Sequence, residues 1–143
     1  MFRYRRTIEI ARPPEDVFAF VTDIDNLGRW QPTVREVDWD GELREGSEFE
    51  ETRELLGRRA RSRLAVIALD PPAEFSIRVV EGPVPLTVRH LLEPVESGTR
   101  LTLEAEGEAG GLMRLAAPIA ERAAARQASQ DLERLKRLIE ESR

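Results

Sequence analysis

The feature that most constrains the fold is a long stretch of alternating apolar and polar residues, from about residue 34 to residue 107. This alternation predicts six strands, near residues 34–41, 47–56, 58–70, 74–81, 84–94 and 98–107. The breaks between them carry turn-forming sequences, namely DGELREG, LGR, DPPAE, EGPVP and ESGT. Because these connections are short, they favour antiparallel hairpins over parallel strands, which need longer crossovers.

The segment before this stretch predicts one more strand and two short helices. Residues 3–11 alternate as an edge strand, and the following RPPED stops it. Pro14 near the first helical position, followed by two carboxylates, indicates a helix start. Asp23 is a suitable N-cap for a second helical turn, which Gly28 can end or bend, and Pro32 leads into the next strand. We therefore expect a two-helix elbow around Trp30.

The last segment has the period of a helix. Its apolar positions recur at helical spacing, at Leu115, Ile119, Ala123, Ala128, Leu132, Leu135 and Ile139. Pro118 has no backbone donor and clashes with the preceding turn, so it predicts a kink or a restart near Ala117. The middle of this helix is built of small residues, which predicts room for a ligand opposite an apolar sheet.

Composition and charge exclude several classes of protein. The 143 residues include 22 basic and 27 acidic ones, and a net charge of −5 argues against sequence-independent nucleic-acid binding. The sequence contains no cysteine, so we expect neither a disulfide nor thiolate chemistry. No apolar run approaches the roughly 20 residues that cross a bilayer, and the N-terminus lacks a signal-peptide pattern. We expect a cytoplasmic protein, a monomer or a homodimer, with no integral membrane segment.

Four stretches carry a resemblance to a known family. They are ARPPEDVFAFVTDIDNLGRWQP, ALDPPAEFSI at 68–77, LLEPVESGTRLTLEAE at 91–106 and DLERLKRLIEE at 131–141. In this order the chain resembles the START-like helix-grip superfamily (SRPBCC), and more narrowly its polyketide cyclase/dehydrase and lipid-transport branch. The resemblance implies an α+β helix-grip domain over residues 1–143, with two short helices between the first two strands. In that fold a seven-stranded antiparallel sheet curves around a long C-terminal helix, and an apolar cavity lies between them.

Strand alternation places one set of mainly apolar side chains on the face that would line this cavity. Together with the elbow tryptophan, an arginine of the third strand and two helix alanines, the predicted ligand-binding residues are Trp30, Arg53, Leu64, Val66, Phe75, Ile77, Val88, His90, Leu101, Leu103, Ala124 and Ala128. The same face is predicted to hold Val79, Val84, Leu86, Leu92 and Ala105.

His90 is the only histidine, and it falls in phase with the apolar side chains of its strand. A histidine in such a position is most often a hydrogen-bonded core residue. The alternative is a polar anchor for a ligand, or a weak candidate for a catalytic acid or base in an apolar cavity. One histidine without cysteine does not supply the usual metal ligands, and no glycine-rich phosphate loop is present. We expect neither a metal nor a cofactor.

The most basic stretch, GRRARSR at 57–63, has a structural explanation. If the LG turn joins the third and fourth strands, Glu54 faces Arg59, Thr52 faces Arg61 and Glu50 faces Arg63, as a ladder on the solvent face. Glu51 and Arg53 fall on the opposite face, where charges must be paired, exposed at a strand end or functional. Arg53 is therefore a candidate to receive a carboxylate or a carbonyl group of a ligand.

The sequence is compatible with three functions. The first is the binding, with or without transport, of a hydrophobic small molecule such as a lipid, an isoprenoid or an aromatic polyketide. The second is a cyclase/dehydrase-type enzyme that uses the same cavity and one histidine or arginine. The third is a protein-interaction module that contacts a partner through Trp30. In the ligand-binding picture, Trp30 either plugs the open end of the sheet or forms a flap over the ligand.

Overall fold

The computed structural model describes residues 2–55, 57–108 and 113–142, with side chains from 117 onward in the last segment. Within these residues the strands are β1 (Phe2–Ile10), β2 (Val34–Asp38), β3 (Glu48–Leu55), β4 (Arg58–Asp70), β5 (Glu74–Glu81), β6 (Leu86–Val95) and β7 (Gly98–Gly107). The helices are α1 (Pro14–Thr22), α2 (Leu27–Trp30) and α3 (Met113–Glu141), with a 3-10 turn at Ile24–Asn26.

All neighbouring strands pair antiparallel, in the order β1-β7-β6-β5-β4-β3-β2. Consecutive strands from β2 to β7 form hairpins, and β1 pairs with β7 at one edge of the sheet. Helix α3 packs closely against β1, and α1 and α2 also contact it. The prediction of a seven-stranded antiparallel sheet, a long C-terminal helix and short helices between the first two strands is confirmed for the described residues.

The elbow between β1 and β2 forms for the reasons that its sequence suggests. Pro14 and two acidic residues begin α1, and the Asp23 carboxylate accepts a hydrogen bond from the Asp25 backbone N–H at 3.1 Å. Of the two roles predicted for Gly28, ending or bending the turn, the first is wrong, because Gly28 lies inside α2. A Cβ at Gly28 would lie 3.0 Å from the Val34 carbonyl oxygen, so glycine lets the elbow fold tightly onto β2 and holds Trp30 beneath it.

A bulge in β4 explains a break in its alternation. The register with β5 shifts between Val66 and Ala68, so Leu64 and Leu69 share a face although their spacing is odd. Ile67 points away from the core and is 40% exposed, whereas Leu69 packs against the core opposite Phe75. One extra residue therefore changes which face the rest of the strand presents.

The buried stripe of α3 differs from the predicted one. It consists of Ala117, Ala125, Ala128, Leu132, Leu135 and Ile139. Ile119 is 73% exposed and Ala123 is also exposed, so their predicted inward positions were wrong. At 3.6 residues per turn these two residues lie about 200° and 240° around the helix from Ala117, which is the opposite side. The predicted position of Leu115 lies outside the described side chains.

Three predicted boundaries also change. Helix α3 is not restarted near Ala117, because Pro118 lies inside a continuous helix, where its ring removes one hydrogen bond close to the helix start. Strand β6 begins at Leu86, and Val84 is 54% exposed in the preceding loop instead of facing the core. Strand β2 ends at Asp38, and the indole N–H of the next residue, Trp39, donates to Asp25 at 2.9 Å.

The outer face of the sheet carries the predicted ladder of charges. Glu54 pairs with Arg59, Thr52 with Arg61 and Glu50 with Arg63, which is the predicted register. The ion pairs also run diagonally, since Arg61 contacts the Glu50 carboxylate and Arg63 lies 3.3 Å from Glu48. This face is held by neighbouring charges, so the basic stretch needs no ligand to explain it.

Candidate functional site

The structure brings most of the predicted site residues into one buried region under α3. Seven of them belong to a single apolar core, namely Trp30, Leu64, Val66, Phe75, Leu101, Leu103 and Ala128. Ile77 and Val88 are partly buried and pack against that core, while Ala124 is half-buried on α3. The strand register explains the grouping, because Phe75 and Leu103 flank His90 on the two neighbouring strands.

His90 lies at the centre of this inner face with 3% of its surface exposed. Its Nδ1 is 2.9 Å from the Phe75 carbonyl oxygen, and its ring stacks on Phe75 with centroids 5.1 Å apart. Since a carbonyl oxygen only accepts, Nδ1 carries the hydrogen and Nε2 of the neutral ring is an acceptor. Burial lowers the pKa of His90 to about 4, against the opposing effect of the Phe75 hydrogen bond. His90 is therefore neutral near pH 7.

Trp30 is packed inside the core with 1% of its surface exposed. Its ring meets that of His90 edge to face, with centroids 6.4 Å apart and planes at 79°. The Trp30 backbone carbonyl accepts a hydrogen bond from Arg134 of α3 at 3.2 Å, which joins the elbow to the helix. The indole Nε1 is buried and has no hydrogen-bond partner in the described part of the chain. We call Trp30 and His90 the ring pair.

A group of charged side chains lies on the same inner side. Glu51 is buried at 7% exposure, and the Arg53 guanidinium donates to both of its carboxylate oxygens at 3.2 Å. Arg53 also donates to Thr33 Oγ1 at 3.1 Å and to Gln31 Oε1 at 2.9 Å. Every nitrogen of this guanidinium therefore has a protein partner, which is the reciprocal pairing that the sequence left as one option.

Helix α3 supplies a second ion pair that sequence reasoning missed. Asp131 is 6% exposed and accepts hydrogen bonds from Gln127 at 2.9 Å and Arg134 at 3.2 Å. Burial raises the pKa of Asp131, while Gln127, Arg134 and Arg53 oppose that rise. Its helical phase could have revealed it, since Asp131 lies about 40° around the helix from Leu135, at the edge of the buried stripe. We call Glu51, Arg53, Asp131 and Arg134 the ion-pair cluster.

Tyr4 of β1 adds a neutral hydroxyl near this cluster. Burial raises the pKa of Tyr4, the charge of Arg53 opposes this shift, and the charge of Asp131 adds to it. These opposing contributions mean that Tyr4 lies within electrostatic range of both a cation and an anion. With Tyr4 neutral, the ion-pair cluster contains two carboxylates and two guanidinium groups, and its formal charge is balanced.

Two concavities in the described part of the chain lie outside this region. One of about 250 Å³ is lined by the ends of β5, β6 and β7, including Val79 and Leu86. The other, of about 460 Å³, lies at the β2 edge around Trp39 and Phe49. Neither includes a predicted ligand-binding residue, so the predicted cavity between the sheet and α3 stays a prediction.

Among the described residues, no three histidine, cysteine or carboxylate side chains cluster in a way that would hold a metal ion. None of the described helices combines the length and the apolar character that crossing a bilayer requires.

The chain matches a family model over residues 1–140, and that family is described as polyketide cyclase / dehydrase and lipid transport. The chain belongs to this family. No curated protein matches it by sequence.

Solved structures share the fold at low sequence identity. TTHA0849 from Thermus thermophilus is 17% identical with a TM-score of 0.79, over 96% of this chain and 95% of that one. Ara h 8.0201 is 13% identical with a TM-score of 0.73, over 98% of each chain. The two-domain aromatase/cyclase StfQ of the steffimycin biosynthetic pathway is 14% identical with a TM-score of 0.81, over 97% of this chain and 51% of StfQ. With the family match, these neighbours confirm the predicted helix-grip fold.

Proposed function

We propose that this protein binds a hydrophobic small molecule between the inner face of its sheet and α3. The observation that carries the proposal is the changing size of the buried residues along α3. Among its described side chains, those buried between residues 117 and 128 are Ala117, Ala125 and Ala128, and the larger Leu132 and Leu135 are buried further along the helix. Small side chains facing an apolar sheet leave a volume that a ligand can fill.

The inner face of the sheet supports an apolar ligand. Leu64, Val66, Phe75, Leu101 and Leu103 are all buried on the inner face. Removing apolar ligand surface from water contributes about 25 cal/mol per Å². A ligand that buries about 200 Å² against this face would gain about 5 kcal/mol from burial alone. Membership of a family described by polyketide chemistry and lipid transport agrees with this class of ligand.

Filling the proposed volume tests the function directly. N-phenyl-1-naphthylamine, a neutral apolar fluorophore, should bind the wild-type protein with enhanced emission. Ala128→Leu should weaken that binding at least tenfold, while the protein keeps its stability because the new side chain enters unfilled volume. Ala123→Leu is the matched control, since Ala123 is exposed on the other side of α3 and its variant should bind the fluorophore normally.

The opposite result would show a filled core. Overpacking a close-packed interior typically costs about 1–3 kcal/mol. If Ala128→Leu lowered stability by that amount and the wild type bound no fluorophore, the binding function would be wrong. Native mass spectrometry of the freshly purified protein gives an independent reading, because a co-purifying apolar compound would identify the ligand class.

A cyclase/dehydrase-type enzyme is the second candidate, favoured by the family description and by the unprotonated Nε2 of His90. A pKa of about 4 makes His90 a weak base, so binding remains the first choice. Turnover of a linear poly-β-ketone that is lost in His90→Phe, with binding retained, would favour the enzyme. The interaction-module alternative relied on an exposed Trp30, and the burial of Trp30 removes that contact point.

A further inference from the structure

The indole N–H of Trp30 is the starting point. It is a buried donor in a residue with 1% exposure, and no acceptor of the described chain reaches it. Leaving such a group unsatisfied destabilises the folded protein, so buried polar atoms of this kind are rare. A phenylalanine at this position would fill most of the same space without that cost. The Trp30 N–H therefore requires a hydrogen-bond acceptor that the described residues do not supply.

His90 presents the complementary group beside it. Its Nδ1–H is used by the Phe75 carbonyl, and its Nε2 lone pair makes no hydrogen bond with the described residues. The two ring centroids are 6.4 Å apart. A single oxygen atom can bridge two nitrogens that are up to about 6 Å apart, which is the separation that a shared hydroxyl requires of Trp30 Nε1 and His90 Nε2. A hydroxyl group, which accepts and donates at once, matches the needs of both rings.

The charges nearby argue against an anionic ligand. Arg53 is fully engaged by Glu51, Thr33 and Gln31, and Arg134 is engaged by Asp131 and the Trp30 carbonyl. A ligand carboxylate would have to displace Glu51 or Asp131 to reach a cation. It would also set an oxygen lone pair against the lone pair of His90 Nε2. Burying a charge without a partner is costly, so this region favours a neutral group.

We propose that the ring pair anchors a single neutral hydroxyl group, a phenol or an alcohol, on an otherwise apolar ligand. The hydroxyl oxygen accepts the hydrogen bond from Trp30 Nε1, and its hydrogen is donated to His90 Nε2. This inference rests on the proposed binding function and adds the chemical class of the ligand and the two residues that select it. A ketone would satisfy only Trp30, and a carboxylate would satisfy Trp30 while opposing His90.

Three ligands of nearly equal size separate this inference from the binding function. 2-Naphthol, naphthalene and 2-naphthoate differ only at the polar group, and each can be measured at pH 7.5 by displacement of N-phenyl-1-naphthylamine. We expect 2-naphthol to bind at least about tenfold more tightly than naphthalene, because its hydroxyl accepts from the buried Trp30 N–H and donates to His90 Nε2. We expect 2-naphthoate to bind no more tightly than naphthalene.

Variants of the ring pair test the assignment of the anchor. Trp30→Phe and His90→Phe each remove one hydrogen-bonding nitrogen and keep an aromatic ring. Each should bring the affinity ratio of 2-naphthol to naphthalene close to one. Trp39→Phe is the matched control, since the Trp39 N–H donates to Asp25 outside this region, and it should keep the wild-type ratio.

Each outcome has a different meaning. If naphthalene binds but 2-naphthol gains nothing, the anchor is wrong, a bound water serves the two rings, and the binding function stands. If none of the three ligands binds, the binding function itself fails. If both ring variants weaken naphthalene and 2-naphthol equally, the rings only shape the region and the anchor is wrong. The comparison of ligands on the wild type decides the inference even if a ring variant does not fold.

Discussion

Two polar sites lie side by side under α3, and they differ in how completely the protein satisfies them. In the ion-pair cluster, the Arg53 guanidinium makes four hydrogen bonds to protein groups, and Asp131 accepts from both Gln127 and Arg134. In the ring pair, only His90 Nδ1 has a partner, and Trp30 Nε1 has none in the described chain. A hydrogen bond from Arg134 to the Trp30 carbonyl connects the two sites.

In our proposal this difference separates a structural role from a recognition role. A buried charge must be fully paired to be tolerated, so a saturated cluster joins β3, the elbow and α3 but has little left to offer a ligand. An unpaired donor and an unpaired acceptor on two neutral rings destabilise the folded protein less than an unpaired charge would. They also stay available to a ligand. Four predictions test this contrast, from the largest effect to the smallest.

Removing the central cation of the ion-pair cluster should have the largest effect. Arg53→Met leaves the buried Glu51 carboxylate without its partner, and we expect a loss of about 3 kcal/mol in the free energy of unfolding. Urea denaturation measures it. The double variant Glu51→Met with Arg53→Met should recover most of the loss, because it removes both charges. A loss below about 1 kcal/mol for the single variant would mean that solvent screens this pair.

Acid should weaken the protein through His90. Its pKa is lowered from 6.5 to about 4, so between these values the unfolded chain takes up a proton that the folded chain does not. This contribution to stability is therefore lost as the pH falls, by about 2 kcal/mol between pH 7 and pH 5. Urea denaturation at both pH values measures it.

The pH experiment needs a control because Asp131 has the opposite sign. Its raised pKa means that the folded state takes up this proton more readily, so its contribution favours folding as the pH falls. Comparing the wild type with His90→Phe cancels Asp131, which both proteins contain. A pH dependence that His90→Phe leaves unchanged would show that His90 is not the group responsible.

At neutral pH the loss of the His90 hydrogen bond should have a smaller effect. His90→Phe keeps a ring beside Phe75 but leaves the Phe75 carbonyl without the Nδ1–H donor. We expect a loss of about 1 kcal/mol in the free energy of unfolding at pH 7.5. A loss above about 3 kcal/mol would indicate that the imidazole carries more of the core packing than its contacts suggest.

The smallest effect should come from the outer face, which serves as the reference for the inner one. Arg61 pairs with Glu50 and Asp38, yet its side chain is 51% exposed. Arg61→Gln should lower the free energy of unfolding by less than about 0.5 kcal/mol, since exposed ion pairs contribute little. The ratio of the two losses in the free energy of unfolding, for Arg53→Met and for Arg61→Gln, then measures how much burial increases the contribution of an ion pair. Equal losses in the free energy of unfolding would mean that burial does not increase the contribution of an ion pair.

Much of this architecture could be predicted because it depends on local patterns. Alternation and turn residues predicted the strands, and strand parity alone predicted the register of Glu54 with Arg59. The same parity placed His90 and Phe75 on one face. The predictions were wrong where the helical phase drifts, at Ile119 and Ala123 on α3, and where a strand boundary shifts, at Val84 before β6. A four-residue step advances about 40° beyond a full helical turn, so spacing alone did not fix the face.

By itself, the sequence determined which segments become strands and helices and which faces are apolar, because these properties depend on residues close together in the chain. Only the tertiary structure decided how those faces meet. The Glu51–Arg53 pair lies on one strand, but its saturation depends on Gln31 and Thr33 of the elbow. The contact of Trp30 with His90 joins residues 60 positions apart in the chain. Whether a buried nitrogen has a partner depends on such distant contacts, and no local pattern records them.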